Sequence, residues 1–378
     1  MTDVLEPRLA PSRLDDARCW VQDFEAVRSG AEQVGFLHGD ALQVLASLPE
    51  DSVDMTMTSP PYWGQRKYDS DGIGAEQSPA EFIGDLLAVT RELRRVLKPT
   101  GSLWLNIGDS YFKKALAGVP WRLAVKMIDE QGWVLRNEVV WNKLKGGMDQ
   151  SRDRLANTHE LIFHFVKRTQ GYYYDVDAIR TTAREAKVVN GAVVSATGVS
   201  GVRYRRQIEL STALGEVEKQ NAYQALEEIL RDVAEGRLSD FRMVIRGQQR
   251  VTHSDQAKVS GRAKELIDKG FYFLRYHPKG TKPSDVWDIL PEDTQARGAG
   301  HFAVYPVELC LVPILASCPP DGIVLDPFCG TGTTMVAASQ LGRRSVGIDI
   351  SANYLHAARN RFQVLQMDGG LDQPTCGL

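Results

Sequence analysis

The chain has 378 residues, 43% of them hydrophobic, with 45 Lys and Arg against 48 Asp and Glu and a formal net charge of -3; this is enough for two soluble domains with cores of their own. No window offers the ~18 consecutive apolar residues of a membrane span, and the N-terminus lacks a signal peptide's basic-then-apolar order, so a cytoplasmic protein without membrane association is expected. Cys19, Cys310, Cys318, Cys329 and Cys376 are odd in number, widely spaced and without a C-x-x-C pair, which argues against a disulfide framework and a zinc site and leaves ordinary reduced thiols with no metal.

Residues 1–33 are polar, acidic and weakly periodic, and are expected to form an extension or flexible arm. Ordered pattern begins with the apolar run 34–38, which leads through Gly39 to Asp40, followed by Ala41, Leu42, Leu45 and Leu48 at helix spacing. Residues 53–58 read as a buried strand that runs directly into Ser59-Pro60-Pro61-Tyr62-Trp63. The next helix has Ser78 as N-cap, Pro79 at the first helical position and Glu81 closing a capping box, with Phe82, Leu86, Val89, Leu93 and Val96 on one face. Lys98-Pro99-Thr100-Gly101 ends it. A strand at 102–107, a helix near 121–130 and strands at 134–141 and 161–166 follow, an alternation that predicts an α/β layer with a largely parallel sheet.

Between about 170 and 285 the alternation stops. From Arg180 to Lys282 there are 19 basic and 12 acidic residues, whereas the first 60 residues hold 4 Arg and 11 acids. The near-neutral total therefore conceals a basic segment, and a nucleic-acid partner stays open. This segment holds Arg203-Tyr204-Arg205-Arg206, an amphipathic helix near 212–235 stopped by Gly236, and a basic run to Lys282; it reads as a separate domain or large insertion. The α/β pattern then resumes with a helix near 306–316, a strand at 322–326, the loop Asp326-Pro327-Phe328-Cys329-Gly330-Thr331-Gly332, a helix of small residues to Leu341 and a strand at 345–350.

Two loops carry chemistry. A strand ending in Asp326, a turn with Gly330 and Gly332 and a helix opening on Thr331, Thr333 and Thr334 place backbone N–H groups and hydroxyls where a carboxylate-bearing or anionic ligand can sit. Asp349 ends the next strand, the position from which a carboxylate accepts from ribose hydroxyls. The loop is neither a G-x-G-x-x-G fingerprint nor a P-loop. In the other loop, two successive prolines hold the backbone extended, so the Ser59 hydroxyl and Pro60 carbonyl form two preset acceptors beside the aromatic rings of Tyr62 or Trp63. That set suits a planar base with an exocyclic NH2 group.

In this order, the motifs resemble those of the amino-methylating DNA methyltransferases that use S-adenosylmethionine. The resemblance spans about residues 34–362 and rests on Gly39-Asp40, Thr58-Ser59-Pro60-Pro61-Tyr62, Leu97-Lys98-Pro99-Thr100-Gly101-Ser102-Leu103, Val139-Val140-Trp141-Asn142-Lys143, His159-Glu160, Ser284-Asp285-Val286-Trp287-Asp288 and the 326–334 loop. Catalytic motif first, target recognition next and cofactor loop last is the permuted order of the beta group. Serine at the first motif position looks like the cytosine-N4 branch, whereas Asp-Pro-Pro-Tyr is typical of adenine-N6 enzymes.

The resemblance implies an α/β, permuted Rossmann-like methyltransferase fold with a mostly parallel sheet and an inserted target-recognition domain. Its expected parts are an N-terminal extension (1–33), a catalytic part (34–170), the target-recognition domain (171–285) and a cofactor-binding part (286–378). It implies Ser59, Pro60, Pro61 and Tyr62 as catalytic residues. Phe328, Gly330, Gly332 and Thr333 would line the methionine end of the cofactor, with Asp326 near its amino group, Asp349 on the ribose and Asp40 on the adenine amino group. His301, Phe302 and Ala303 would form the remaining cofactor-contacting segment. Trp63 and Asp109 are candidates for the base pocket. Arg152, Arg154, Arg203, Arg205 and Arg206, with Gln248, Gln249 and His253, have the chemistry to bind phosphates and read base edges. The expected activity is methyl transfer to cytosine N4 in duplex DNA, with a cognate restriction endonuclease alongside and a monomer or homodimer both open. Adenine-N6 methylation is the alternative, followed by an RNA or protein-amide methyltransferase and a non-catalytic DNA-binding module.

Overall fold

The computed structural model describes residues 14–64, 72–145, 151–181, 183, 185–189, 192–196, 198–247, 261–292 and 305–367. Trp20, Phe24 and Val27 stand at i, i+4 and i+7, which is one helix face, and all three are buried in the first helix, α1 (Leu14–Ser29). The expected arm is thus corrected over this stretch: it is a packed helix. Trp20 Nε1 also donates to the His38 carbonyl at 2.9 Å, so three apolar anchors and one hydrogen bond seat an otherwise charged segment.

The first half continues with β1 (Val34–His38), α2 (Ala41–Ser47), β2 (Val53–Thr58), α3 (Pro79–Val96) and β3 (Leu97–Ile107). Ser78 Oγ caps α3 by accepting from Glu81 N at 3.3 Å, while the Glu81 carboxylate accepts from Gln77 N, one residue before the cap expected for it. The Lys98–Gly101 segment, expected to end α3, lies inside β3. A small hairpin, β4 (Tyr111–Phe112) and β5 (Ala115–Leu116), precedes α4 (Val119–Gln131), β6 (Val134–Asn142) and β7 (His159–Val166).

A second compact unit spans Arg180–Pro283, and the segments flanking it form the first. The second unit contains β8 (Lys187–Val189), β9 (Ala192–Val194), α5 (Gly201–Glu209), α6 (Glu216–Ala234), β10 (Asp240–Ile245), α7 (Arg262–Lys269) and β11 (Phe271–Tyr276). Helices α5 and α6 and the antiparallel pair β10–β11 share a core of Tyr204, Ile208, Leu226, Ile229, Phe241 and Phe271. Residues 171–179, expected within the insertion, belong to the first unit: Ile179 is buried there and Asp175 N donates to the Ala316 carbonyl at 2.8 Å. The first unit then closes with β12 (Val286–Asp288), α8 (Glu308–Ser317), β13 (Ile323–Asp326), α9 (Thr333–Gln340), β14 (Arg344–Asp349) and α10 (Ala352–Met367).

Eight strands form one sheet in the order β1-β14-β13-β2-β3-β7-β6-β12. Only β7 runs against its neighbours; the other pairs are parallel. Alternate strand residues serve the two faces. Leu103, Leu105 and Ile107 of β3 join a core with Phe24 of α1, Leu45 of α2, Leu86 of α3 and Leu123 of α4, whereas Trp104 points to the other face with Leu309 and Ile314 of α8 and Ala337 of α9. β2 is buried at all six positions, as a central strand covered by helices on both faces must be. β13 pairs directly with β2 although the entire second unit separates them in the chain. This is the permuted α/β order that the resemblance implies, with the 326–332 loop and the Ser-Pro-Pro-Tyr loop leaving adjacent strands. Among the described residues no helix is long and apolar enough to cross a membrane.

Candidate active site

In a mostly parallel sheet the carboxyl ends of the strands open on one edge, where loops leave and ligands bind. That edge carries Asp40 after β1, Asp349 at the end of β14, Asp326 at the end of β13, Ser59 after β2, Asn106 near the end of β3 and Lys143 after β6. Because β7 is antiparallel, it is its beginning, His159 and Glu160, that comes to the same edge.

Ser59, Tyr62, Asn106 and Glu160 interlock there. Asn106 Nδ2 lies 3.2 Å from Ser59 Oγ, 2.9 Å from Tyr62 Oη and 3.0 Å from Glu160 Oε2. Ser59 Oγ donates to Tyr62 Oη at 3.3 Å, and Tyr62 Oη donates to Glu160 Oε2 at 2.6 Å. The other Glu160 oxygen is ion-paired with the Lys143 ammonium, which also lies 4.9 Å from the Trp141 ring centre. Burial and then the Glu160 charge push the Tyr62 phenol well above its ordinary range. Pro60 is buried and Pro61 half-buried, which holds the Ser59 backbone. A Cβ at Gly108 would stand 2.7 Å from the Tyr62 ring, so only glycine lets the chain after β3 pass so close to that ring.

The cofactor loop is built around two carboxylates. Asp326 Oδ1 accepts from Thr58 Oγ1 at 2.6 Å and Phe328 N at 3.1 Å; Oδ2 accepts from Thr334 Oγ1 at 2.6 Å and Tyr305 Oη at 3.0 Å. Burial raises the Asp326 carboxyl above the usual range, and these donors oppose that rise. With four internal donors and 1% exposure, Asp326 ties the loop to β2. That corrects the expectation that it contacts a ligand's amino group, because its lone pairs already face protein donors. Asp349 Oδ2 accepts from Gly330 N at 2.9 Å and Oδ1 from Ser351 N at 2.8 Å; it is only part-buried. Burial raises this carboxyl too, against the backbone N–H bonds of Ser351, Gly330 and Ile350. Asp40 caps α2 through Oδ1, accepting from Gln43 N at 3.1 Å. Gly332 has φ +81, and a Cβ there would meet Ala358 at 3.0 Å. Phe328 presents a half-buried ring, whereas the Thr333 hydroxyl is turned inward and accepts from Arg361 at 2.9 Å.

Several expected residues sit elsewhere. Trp63 is 8% exposed, donates through Nε1 to the Glu76 carbonyl at 2.9 Å and meets Phe112 edge-on, so it is core and offers no stacking face. Asp109 accepts from Ser110 N, Gly118 N and Val119 N at 2.8–3.0 Å, holding the loop before α4. Arg152 is exposed, and the Arg154 guanidinium lies 3.7 Å over the Tyr111 ring. On α5 the three arginines point outward while Tyr204 turns into the core; Arg203 and Arg206 share a face, but Arg205 bonds Glu227 at 2.6 Å. His301, Phe302, Ala303, Gln248, Gln249 and His253 lie outside the described residues. The sequence assigns no site roles to Asn106, Lys143, Glu160, Thr58 or Tyr305, and the Thr334 hydroxyl, expected to face a ligand, donates to Asp326. The Trp-Asn-Lys and His-Glu pairs were visible as motif letters, but nothing local shows that they converge.

A permuted methyltransferase sheet with both loops on one edge defines the class, and comparison with known proteins agrees. Residues 53–360 match the N6/N4 family of DNA methylases, and the chain belongs to that family; S-adenosylmethionine is its methyl donor. The chain is 32% identical to the Type II methyltransferase M.SfiI of Streptomyces fimbriatus, covering 84% of this chain and 88% of that one. It is 28% identical to the Type II methyltransferase M.SmaI of Serratia marcescens, covering 90% and 94%. Among solved structures, the cytosine-N4-specific PvuII DNA methyltransferase shares the fold with a TM-score of 0.52 at 18% identity, covering 88% of this chain and 86% of that one. The residues fit the cofactor through their carboxylates: the part-buried Asp349 and Asp40 can accept from ribose hydroxyls and an adenine amino group, whereas the N–H groups of Phe328, Cys329, Gly330 and Gly332 are already bonded within the protein.

Proposed function

We propose that this chain is a site-specific methyltransferase that modifies the exocyclic N4 of cytosine in duplex DNA, as the modification partner of a restriction endonuclease in the cytoplasm. The observation that carries this reading is Ser59 Oγ at the sheet edge, held by Asn106 beside the rigid Pro60 carbonyl. The lone pair of an aromatic amino group is delocalised into its ring. Accepting the two N–H bonds at Ser59 Oγ and the Pro60 carbonyl draws the nitrogen toward sp3 geometry and localises that lone pair, so positioning and preset dipoles supply the catalysis. When bound, S-adenosylmethionine would supply the electrophilic methyl group. Phe328, with Gly330, Gly332 and Thr333, would line its methionine end, Asp349 would hold its ribose and Asp40 its adenine.

The base leaves the duplex to reach Ser59, at a cost of a few kcal/mol offset by stacking on the Tyr62 ring. Duplex binding belongs to the basic Arg180–Pro283 unit, where Arg203 and Arg206 stand exposed. The Type II methyltransferase relatives support the restriction–modification setting. Mass spectrometry of nucleosides from DNA treated with the protein and labelled methyl donor tests the base: N4-methylcytosine is expected, and N6-methyladenine alone would overturn the cytosine assignment. Label in RNA or protein in preference to DNA would overturn the substrate class.

A further inference from the structure

A neutral amino group that accepts a methyl becomes cationic and must shed an N–H proton. Resting on the assignment of Ser59 to that amino group, we propose that Ser59, Tyr62 and Glu160 form a proton wire ending on the Glu160 carboxylate, with Lys143 as the counter-ion that holds it. The donors along this line already point one way, Ser59 Oγ to Tyr62 Oη at 3.3 Å and Tyr62 Oη to Glu160 Oε2 at 2.6 Å. That polarity leaves Ser59 Oγ a lone pair for the substrate N–H.

The balance is complete within the protein. The N–H electron pair returns to nitrogen and the proton moves to Ser59 Oγ. The original Ser59 proton passes to Tyr62 Oη, and the Tyr62 proton passes to Glu160 Oε2. Both hydroxyls finish neutral and the carboxylate is neutralised, so the positive charge produced at the base ends where a negative charge stood. Asn106 Nδ2, with two hydrogens, lies within hydrogen-bond distance of all three oxygens; its amide NH2 has no lone pair to take the proton, so it is a positioning residue that holds the line straight. The groups facing Glu160 are Tyr62 from the loop after β2, the neutral Asn106 from β3 and Lys143 after β6. The Lys143 side chain is 27% exposed, which gives the proton a route to water once product has formed.

Single-turnover methyl transfer by the full chain on duplex DNA tests the wire, using Glu160→Gln, Tyr62→Phe and the double variant. Each single variant is expected to slow transfer by ~10²-fold, with DNA affinity and cofactor affinity unchanged, and the double to be no slower than either single, since both interrupt one line. Losses that multiply in the double, or a wild-type rate in Glu160→Gln, would overturn it. Should Glu160→Gln fold poorly, Tyr62→Phe interrupts the same line and keeps the ring. In the ligand-free protein, the 13C-labelled Tyr62 phenol should titrate at lower pH in Glu160→Gln than in wild type; an unchanged titration also refutes the contact. Ser59→Ala separates the two readings. If it keeps the wild-type rate, the amino group is not held at Ser59 and the underlying assignment fails; if it loses transfer while Glu160→Gln does not, only the wire fails.

Discussion

His164 provides the sharpest quantitative prediction, because its environment allows one protonation state. The imidazole lies in β7 with 1% exposure, stacked on Trp104 at 4.3 Å and 8°, with Nε2 3.2 Å from Ser102 Oγ. Burial, and secondarily the charge of Arg136, push it from 6.5 down to about 3. The folded protein therefore excludes a proton that the unfolded chain binds below about pH 6.5. Stability from this group is fully present above that pH, falls as pH drops toward 3 and levels off below it. At 1.36 kcal/mol per unit, the loss between pH 7 and pH 5 is about 2 kcal/mol, rising to about 3 kcal/mol at pH 4. The assay is urea unfolding of wild type and His164→Phe at pH 7, 6, 5 and 4. Phenylalanine keeps the ring stack and loses the Ser102 bond, a pH-independent offset. The wild type should lose about 2 kcal/mol more than the variant between pH 7 and 5; parallel pH dependences would refute the buried neutral imidazole.

Ser59→Ala should lower methyl transfer by ~10²-fold or more while leaving the dissociation constant for S-adenosylmethionine unchanged, measured by calorimetry; a weakened cofactor would move Ser59 out of the base pocket. Trp20→Ala should cost about 3–5 kcal/mol in denaturant unfolding, since a buried ring and its bond to the His38 carbonyl are lost; a neutral result would return residues 14–29 to the status of an arm. In salt titrations of DNA binding, Arg203→Ala and Arg206→Ala should each reduce the slope of log K against log salt by about one. Arg205→Ala should change it less, because Glu227 already neutralises that guanidinium.

Much of the site was legible because its signals are local. Ser59-Pro60-Pro61-Tyr62 announces a rigid extended loop through proline sterics, and the glycines at 330 and 332 announce a turn into a helix. The misses have equally physical causes. Trp20, Phe24 and Val27 make a helix face that is thin against the charges around it, so its burial depends on β1 and β14 being present to receive it. Trp63 looked like a stacking ring because an indole beside a catalytic loop gives no clue to which side it turns; the Glu76 carbonyl and Phe112 decide that. Asp326 carried a motif role, yet the hydroxyls that satisfy it come from Thr58, Thr334 and Tyr305, which only the pairing of β13 with β2 and the packing of α8 bring within reach.

The sequence by itself determined the class of the protein: an α/β chain, a preset pair of acceptors, a glycine turn and a basic insertion, each written in a stretch short enough for backbone sterics or periodicity to dictate. Tertiary structure alone decided that Glu160 completes the site. Strand periodicity is the same in either direction, so nothing in residues 159–166 reveals that β7 runs against its neighbours. Long-range hydrogen bonding between β3, β7 and β6 sets that direction, and it delivers the Glu160 carboxylate from the start of β7 to the Tyr62 hydroxyl and its Asn106 support, with the Lys143 ammonium after β6 paired to that carboxylate's other oxygen.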